Sequence, residues 1–408
     1  MQITAQESNG KQCYLVMIDA ADNHNKYYHM VQNGNKFTAL YGRVGANPQS
    51  RTYSMSVWDV KREEKLNKGY IDQTDLHLTV NSIVQSEYEE IDDNEVRQLV
   101  DALMRYANDH VKREYKVTSK EVTPQMVKEA QHSIDVLSRY ADREELIRFN
   151  NELMRLFSII PRRMSDVETN LGKDPKKLAE IVDREQKLLD VMKSLVTDDE
   201  ADNVSVHTGE RKGTILDALG LSIRSCNDSE VAKIKEKLTA ESSGKLKKAY
   251  RIEQKQLEKR YRAYCEKNHI RGRDEHFYYH GTKNQNVWNI IQKGLLINPN
   301  APITGKMFGY GIYFAPRAKK SINYTSLAGS YWAHGTDSTG YLLVFKVAYK
   351  NPLHVTQWTH DCSQLTKNKI SKRGHDALFA HKGVSLVNDE VIVYDEAQIN
   401  PRYLLVLQ

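Results

Sequence analysis

The residues best suited to chemistry lie in three stretches of the last third of the sequence. Tyr279-His280-Gly281-Thr282 sets an imidazole beside a glycine and a hydroxyl. An imidazole nitrogen can fix a hydroxyl group, and a glycine lets a ligand come close enough to use the backbone N–H and C=O. Thr282 can reach the same ligand or cap the following turn. In Gly309-Tyr310-Gly311-Ile312-Tyr313-Phe314-Ala315, and again at Tyr324, tyrosines offer aromatic faces to a ligand or to the core. Ser321 carries a hydroxyl for a ligand or for a helix cap. Glu390 opens the apolar run EVIVYD, where a carboxylate can stabilise a developing positive charge and accept a proton. The chain holds 14 histidines and 23 tyrosines, so any one of these side chains alone reads equally well as packing. The ordered set is what points to a site.

Gly309-Tyr310-Gly311 lacks the third glycine of a dinucleotide fingerprint, and Ile312-Tyr313-Phe314 reads as strand rather than helix. A Rossmann-type nucleotide site is therefore excluded. The cysteines, Cys13, Cys226, Cys265 and Cys362, are widely spaced with no CxxC pair. Neither a zinc site nor a disulfide framework is expected, and no metal is assigned. No apolar run approaches the ~18 residues of a membrane-crossing helix. The opening MQITAQESNG lacks the charged start and apolar stretch of a signal peptide, so an intracellular protein with no membrane partner is expected.

The net charge of +6 permits a polyanionic partner without demonstrating one. Its distribution says more. Residues 24–70 carry eight Lys/Arg against three Asp/Glu, whereas 86–95 carry six acids and no base. A basic first module followed by an acidic, solvated hinge is the natural reading. Within that module Arg43, Lys36 and Arg51 are suited to phosphate, and Tyr41 and Trp58 to stacking on a base or sugar.

The elements around these residues follow from periodicity. CYLVMIDA, KYYHMVQ and KFTALYGRVG read as strands, with Asn33-Gly34 as a hairpin turn between the last two. Residues 46–50 read as a loop, and WDVKREEKLNKGY as a helix closed by Gly69. From residue 94 the apolar period changes to that of helices, over 94–111, 124–139, 142–159 and 174–196, with Pro124 at a start and Pro161 at a stop. An antiparallel bundle results. Residues 197–245 are polar, with TDDEADN and ESSG as loop markers, and 246–272 fit either a helix or an opening strand. From Phe277 the texture is strand-rich, with short helices expected at 284–293 and 317–328.

Taken in order, the His280, Tyr313 and Glu390 stretches resemble the signature of the poly(ADP-ribose) polymerase catalytic domain, in which a histidine, a tyrosine and a glutamate form the core. Thr304-Gly305-Lys306, Lys320-Ser321-Ile322-Asn323-Tyr324 and the closing Gln398-Ile399-Asn400-Pro401-Arg402-Tyr403 extend the likeness. Tyr41-Gly42-Arg43-Val44-Gly45, with Asn25-Lys26-Tyr27-Tyr28 upstream, is similar to the WGR domain of DNA-dependent members, with Tyr41 in place of the tryptophan.

The resemblance implies an α+β chain in three parts: a small β-rich WGR-like DNA-binding module at 1–85, an all-α regulatory bundle at 86–200, and a mixed α/β transferase domain with a split, antiparallel-rich sheet at 201–408. It implies NAD+ as substrate, with His280 on a ribose hydroxyl and Gly281, Thr282 and Ser321 toward the nicotinamide amide. Tyr313 and Tyr324 would lie against its ring, and Glu390 would stabilise an oxocarbenium-like transition state. Glu180 and Asp183, one turn apart, would face the adenosine side. DNA breaks or ends, met by Arg43, Tyr41, Lys36, Arg51 and Trp58, and protein acceptors including the chain itself are the implied partners. The place of action would be a nucleus in a eukaryote, or the cytoplasm or nucleoid in a prokaryotic or viral setting. The stretch between Tyr349 and Glu390 is short for a chain-elongating member, which keeps single-unit transfer as an alternative. A DNA-end-binding protein with an inert transferase domain is the other.

Overall fold

The computed structural model describes residues 10–44, 46–78, 88–117, 119–196, 213–297 and 307–408. These fall into two compact units, one holding 10–78 with 108–196, the other 88–107 with 213–297 and 307–408. Thr304, Gly305, Lys306, Gly45 and residues 197–203 lie outside the described residues.

The first unit opens with strands β1 (Gln12–Asp19), β2 (His24–Asn33), β3 (Lys36–Arg43) and β4 (Gln49–Ser54), followed by helix α1 (Trp58–Leu66), strand β5 (Ile71–Asp72) and helix α2 (Thr74–Leu78). The sheet order is β4-β3-β2-β1-β5. Buried residues alternate as Cys13 and Leu15, Tyr28 and Met30, Phe37 and Ala39, and Trp58 joins them. That period of two puts one face of the sheet on the core. Gly34 takes φ 60° in the turn between β2 and β3, and Gly69 takes φ 89° past α1. The stretch 46–50, expected as loop, is half strand: Gln49 and Ser50 begin β4, a mostly exposed edge strand whose polar residues show no apolar alternation.

Helix α3 (Asn94–Glu114) contributes its first residues to the second unit and its last to the first. Helices α4 (Pro124–Asp142), α5 (Leu146–Ile159) and α6 (Leu178–Lys193) complete the first unit. Helix α4 starts as expected at Pro124, behind a Thr123 cap whose hydroxyl accepts from Met126 N at 3.0 Å. Met126, Ala130, Ile134 and Leu137 then recur on one face, and Phe149, Leu153 and Leu156 answer them from α5. Residues 175–177 of the expected fourth helix form a separate 3-10 turn.

The second unit is built on two sheets. The first runs β6 (Leu221–Ser225), β7 (Leu246–Gln254), β14 (Ile399–Leu407), β10 (Gly340–Ala348), β8 (Glu275–Gly281), antiparallel throughout. The second runs β11 (Pro352–Val355), β12 (Ala377–Ala380), β13 (Glu390–Val393), β9 (Ile312–Phe314), with only β11 and β12 parallel. A bridge between Tyr279 and Ala315 joins them. The ambiguous stretch 246–272 is both things in turn: β7, then the helix Lys255–Lys267. ESSG is not a loop. It lies in the helix Ala240–Lys245, capped by Thr239. The helix expected over 317–328 stops at Ile322.

Candidate active site

Strand β8 ends on His280 and Gly281, and the bridge from Tyr279 to Ala315 brings β9 alongside. His280 Nδ1 lies 3.1 Å from the Tyr313 carbonyl oxygen. A carbonyl only accepts, so Nδ1 carries the proton and a neutral ring keeps its Nε2 lone pair for a hydroxyl. Burial lowers the His280 pKa below the ordinary value, and the bond to Tyr313 offsets only part of that. The ring is held edge-on to Phe314 and Phe345, with centroids at 6.0 and 6.4 Å.

Gly281 admits no side chain. A Cβ there would lie 1.7 Å from the Ser321 carbonyl oxygen. Ser321, buried on the helix Ala318–Ile322, donates its hydroxyl to Tyr279 O at 2.9 Å. It therefore ties that helix to β8 rather than capping its own helix. Thr282 Oγ1 accepts from Asn286 Nδ2 at 3.0 Å, which engages it with the following helix Asn284–Lys293.

The Tyr313 hydroxyl donates to Gly309 O at 3.0 Å and accepts from Phe308 N at 2.9 Å. With both roles filled, the ring's tilt is set and its face is what it can offer a ligand. Tyr324 is 41% exposed and stacks at 6.4 Å on Trp332, itself 60% exposed. The phenols of Tyr313 and Tyr324 are both raised, chiefly by burial and further by the negative charge of Glu390.

Glu390 is the first residue of β13, paired to Ala380, and Ile392 on the same strand pairs with Tyr313. Its carboxylate, only 15% exposed, is ion-paired with Lys320, which is 13% exposed. Lys320, in the stretch Lys320-Ser321-Ile322-Asn323-Tyr324, is a site residue that the sequence motifs do not single out. Its position one residue before Ser321 on the same short helix was the available signal. Hydrogen bonds, strand register and the Lys320 pair thus tie His280, Gly281, Ser321, Tyr313 and Glu390 into one connected constellation.

The other expected residues lie in the first unit. Arg43 is engaged within it: its guanidinium donates to Asn23 O at 2.8 Å, Asn23 Oδ1 at 3.1 Å and Ser165 O at 3.0 Å. Tyr41 packs at 5.7 Å on Tyr28. Lys36 and Arg51 are exposed, Arg51 lying over the Tyr53 ring at 5.4 Å. Trp58 differs from the expected stacking role. It is 2% exposed, edge-on to Phe37 at 5.1 Å, and its ring is part of the core rather than a stacking surface. On α6, Glu180 is exposed and Asp183 is ion-paired with Lys187 one turn on.

The poly(ADP-ribose) polymerase catalytic domain matches residues 228–380 and the WGR domain residues 11–75. The first match contains His280, Tyr313 and Lys320 and stops short of Glu390. Invertebrate iridescent virus 6 has two similar proteins. One, named 101L, is 31% identical over 38% of this chain and 65% of its own length. The other, named poly [ADP-ribose] polymerase-like 100L, is 31% identical over 31% of this chain and 67% of its own length. Poly [ADP-ribose] polymerase 1 of Gallus gallus is 31% identical over 44% of this chain but only 20% of its own. The chain thus spans only part of each of these relatives. A WGR domain, a catalytic domain of this type and the His280–Tyr313–Glu390 constellation together place the chain in the poly(ADP-ribose) polymerase family.

Proposed function

We propose that the chain transfers ADP-ribose from NAD+ to protein acceptors, itself among them, releases nicotinamide, extends the product into chains, and is switched on by DNA breaks. The observation that carries the chemistry is the connected constellation of His280, Gly281, Tyr313 and Glu390. His280 Nε2 accepts from a ribose hydroxyl. Gly281 offers its backbone to the nicotinamide amide, with Ser321 and Thr282 shaping that wall. Tyr313 and Tyr324 face the pyridinium ring, whose positive charge favours aromatic faces. When the bond between ribose C1′ and the ring nitrogen breaks, its electron pair leaves with nicotinamide. Positive charge then grows on the sugar, where Glu390 lowers its energy. An acceptor oxygen attacks C1′, and its proton passes to Glu390 or solvent.

We assign three working parts: a DNA module at 1–85, a regulatory bundle at 86–200 and a transferase at 201–408. The basic surface with exposed Lys36 and Arg51 supports DNA contact. The hold of Arg43 on Ser165 supports a relay from that module into the bundle. The test is product size on a denaturing gel with labelled NAD+ and nicked duplex. A ladder is expected. A single labelled band would replace elongation with single-unit transfer.

A further inference from the structure

We propose that the turn between β1 and β2 is a divalent-cation site formed by Asp19, Asp22 and His24, suited to a first-row transition ion such as Zn2+. Asp19 and His24 are directly opposed across the hairpin, so their side chains leave the same side of it. Between them the chain folds back sharply: Asn23 takes φ 48° and donates its N–H to Ala20 O at 3.2 Å. That fold brings Asp22 to the pair. One ligand-capable atom from each of the three lies within 4.8 Å of the other two.

One detail points to a cation rather than to chance crowding of polar groups. The His24 Nδ1 atom is buried and has no hydrogen-bond partner, a costly state for a ring nitrogen unless something else meets it. Asp19 Oδ1 accepts from Ala21 N at 2.8 Å, which fixes that carboxylate within the turn. One imidazole and two carboxylates form a nitrogen–oxygen donor set that Zn2+ accepts, with a coordination position left for water. The cysteine spacing that argued against zinc bears only on thiolate sites and says nothing of this one.

The site would matter because of what lies inside it. Asn23, between Asp22 and His24, takes two donors from Arg43. Its side chain also accepts from Val167 N at 3.1 Å and donates to Ser165 O at 3.4 Å. A cation held by the residues on either side of Asn23 stiffens the turn through which the hairpin grips residues 165–167.

The experiment uses the untagged chain, stripped with a chelator and dialysed. Co2+ is titrated while its visible absorption is followed, and Zn2+ is titrated by calorimetry. One site per chain is expected. Asp22→Asn and His24→Gln should each weaken it about tenfold or more, the range seen when even a supporting partner of a ligand is lost. Asp22 is exposed, so its variant folds like the parent by circular dichroism, and Zn2+ raises the melting temperature of the parent alone. The proposal is overturned if the parent binds neither ion at one defined site. It is equally overturned if the Asp22→Asn, His24→Gln double variant binds as tightly as the parent, which would place binding elsewhere among the histidines.

Discussion

At the scale of single residues, the account rests on Glu390 and the groups that hold it. Glu390→Gln keeps the shape and removes the charge. It should lower kcat by roughly 10²-fold or more while the affinity for NAD+ changes little, read by nicotinamide release beside direct binding. A variant that extends chains at the parent rate would remove Glu390 from the mechanism. Lys320→Gln should also slow turnover, because it leaves a largely enclosed carboxylate without its cation. Gly281→Ala should lose NAD+ binding, since a methyl group 1.7 Å from the Ser321 carbonyl oxygen cannot be absorbed without moving backbone. A Gly281→Ala chain with parent-like melting and binding would contradict the close approach. Lys320 escaped the sequence reading because a lysine in a short polar helix resembles surface. Trp58 was misassigned for the converse reason, as an indole beside basic residues reads equally well as a stacking platform or as core.

At the scale of elements, the long amphipathic helices and the alternating strands of the first hairpins were legible because their apolar period is sustained. The misses are features set by pairing with a neighbouring strand rather than by an apolar pattern of their own. Strand β4 is polar and exposed, and exists because β3 offers it an edge. Strand β6 carries only Leu221 and Ile223 inward and is ordered by pairing with β7. The opposition of Asp19 and His24 could not be seen before the register of β1 on β2 was known. Partly buried histidines in both units make stability depend on pH. Burial lowers His29 to about 4 and lowers His280 as well. Their unfolded values lie near 6.5, so the unfolded chain binds more protons below that pH. Stability is therefore full above about 6.5 and falls as pH drops toward about 4. The urea midpoint should be level from pH 7 to 8 and lower at pH 5, and His29→Leu should flatten part of that fall. A midpoint unchanged at pH 5 would contradict neutral, partly buried rings.

At the scale of the whole molecule, the claim is that DNA at the first module governs turnover at the second unit. DNA affinity should fall linearly in log K with log salt, and Lys36→Ala with Arg51→Ala should reduce the slope. Arg43→Ala should instead spare DNA binding and blunt activation, since its donors lie on Asn23 and Ser165. A fragment that tests restraint by the bundle must begin before Leu221, because starting near residue 240 would strip β6 from β7. The most direct measurement is nicotinamide release from NAD+ by the parent and by Glu390→Gln, each with and without nicked duplex. The account predicts release by the parent that rises roughly 5- to 150-fold with nicked DNA, the span of typical coupling energies, and near-background release by the variant in both conditions. A parent that releases no nicotinamide, or releases it at one rate whether or not nicked DNA is present, would contradict it.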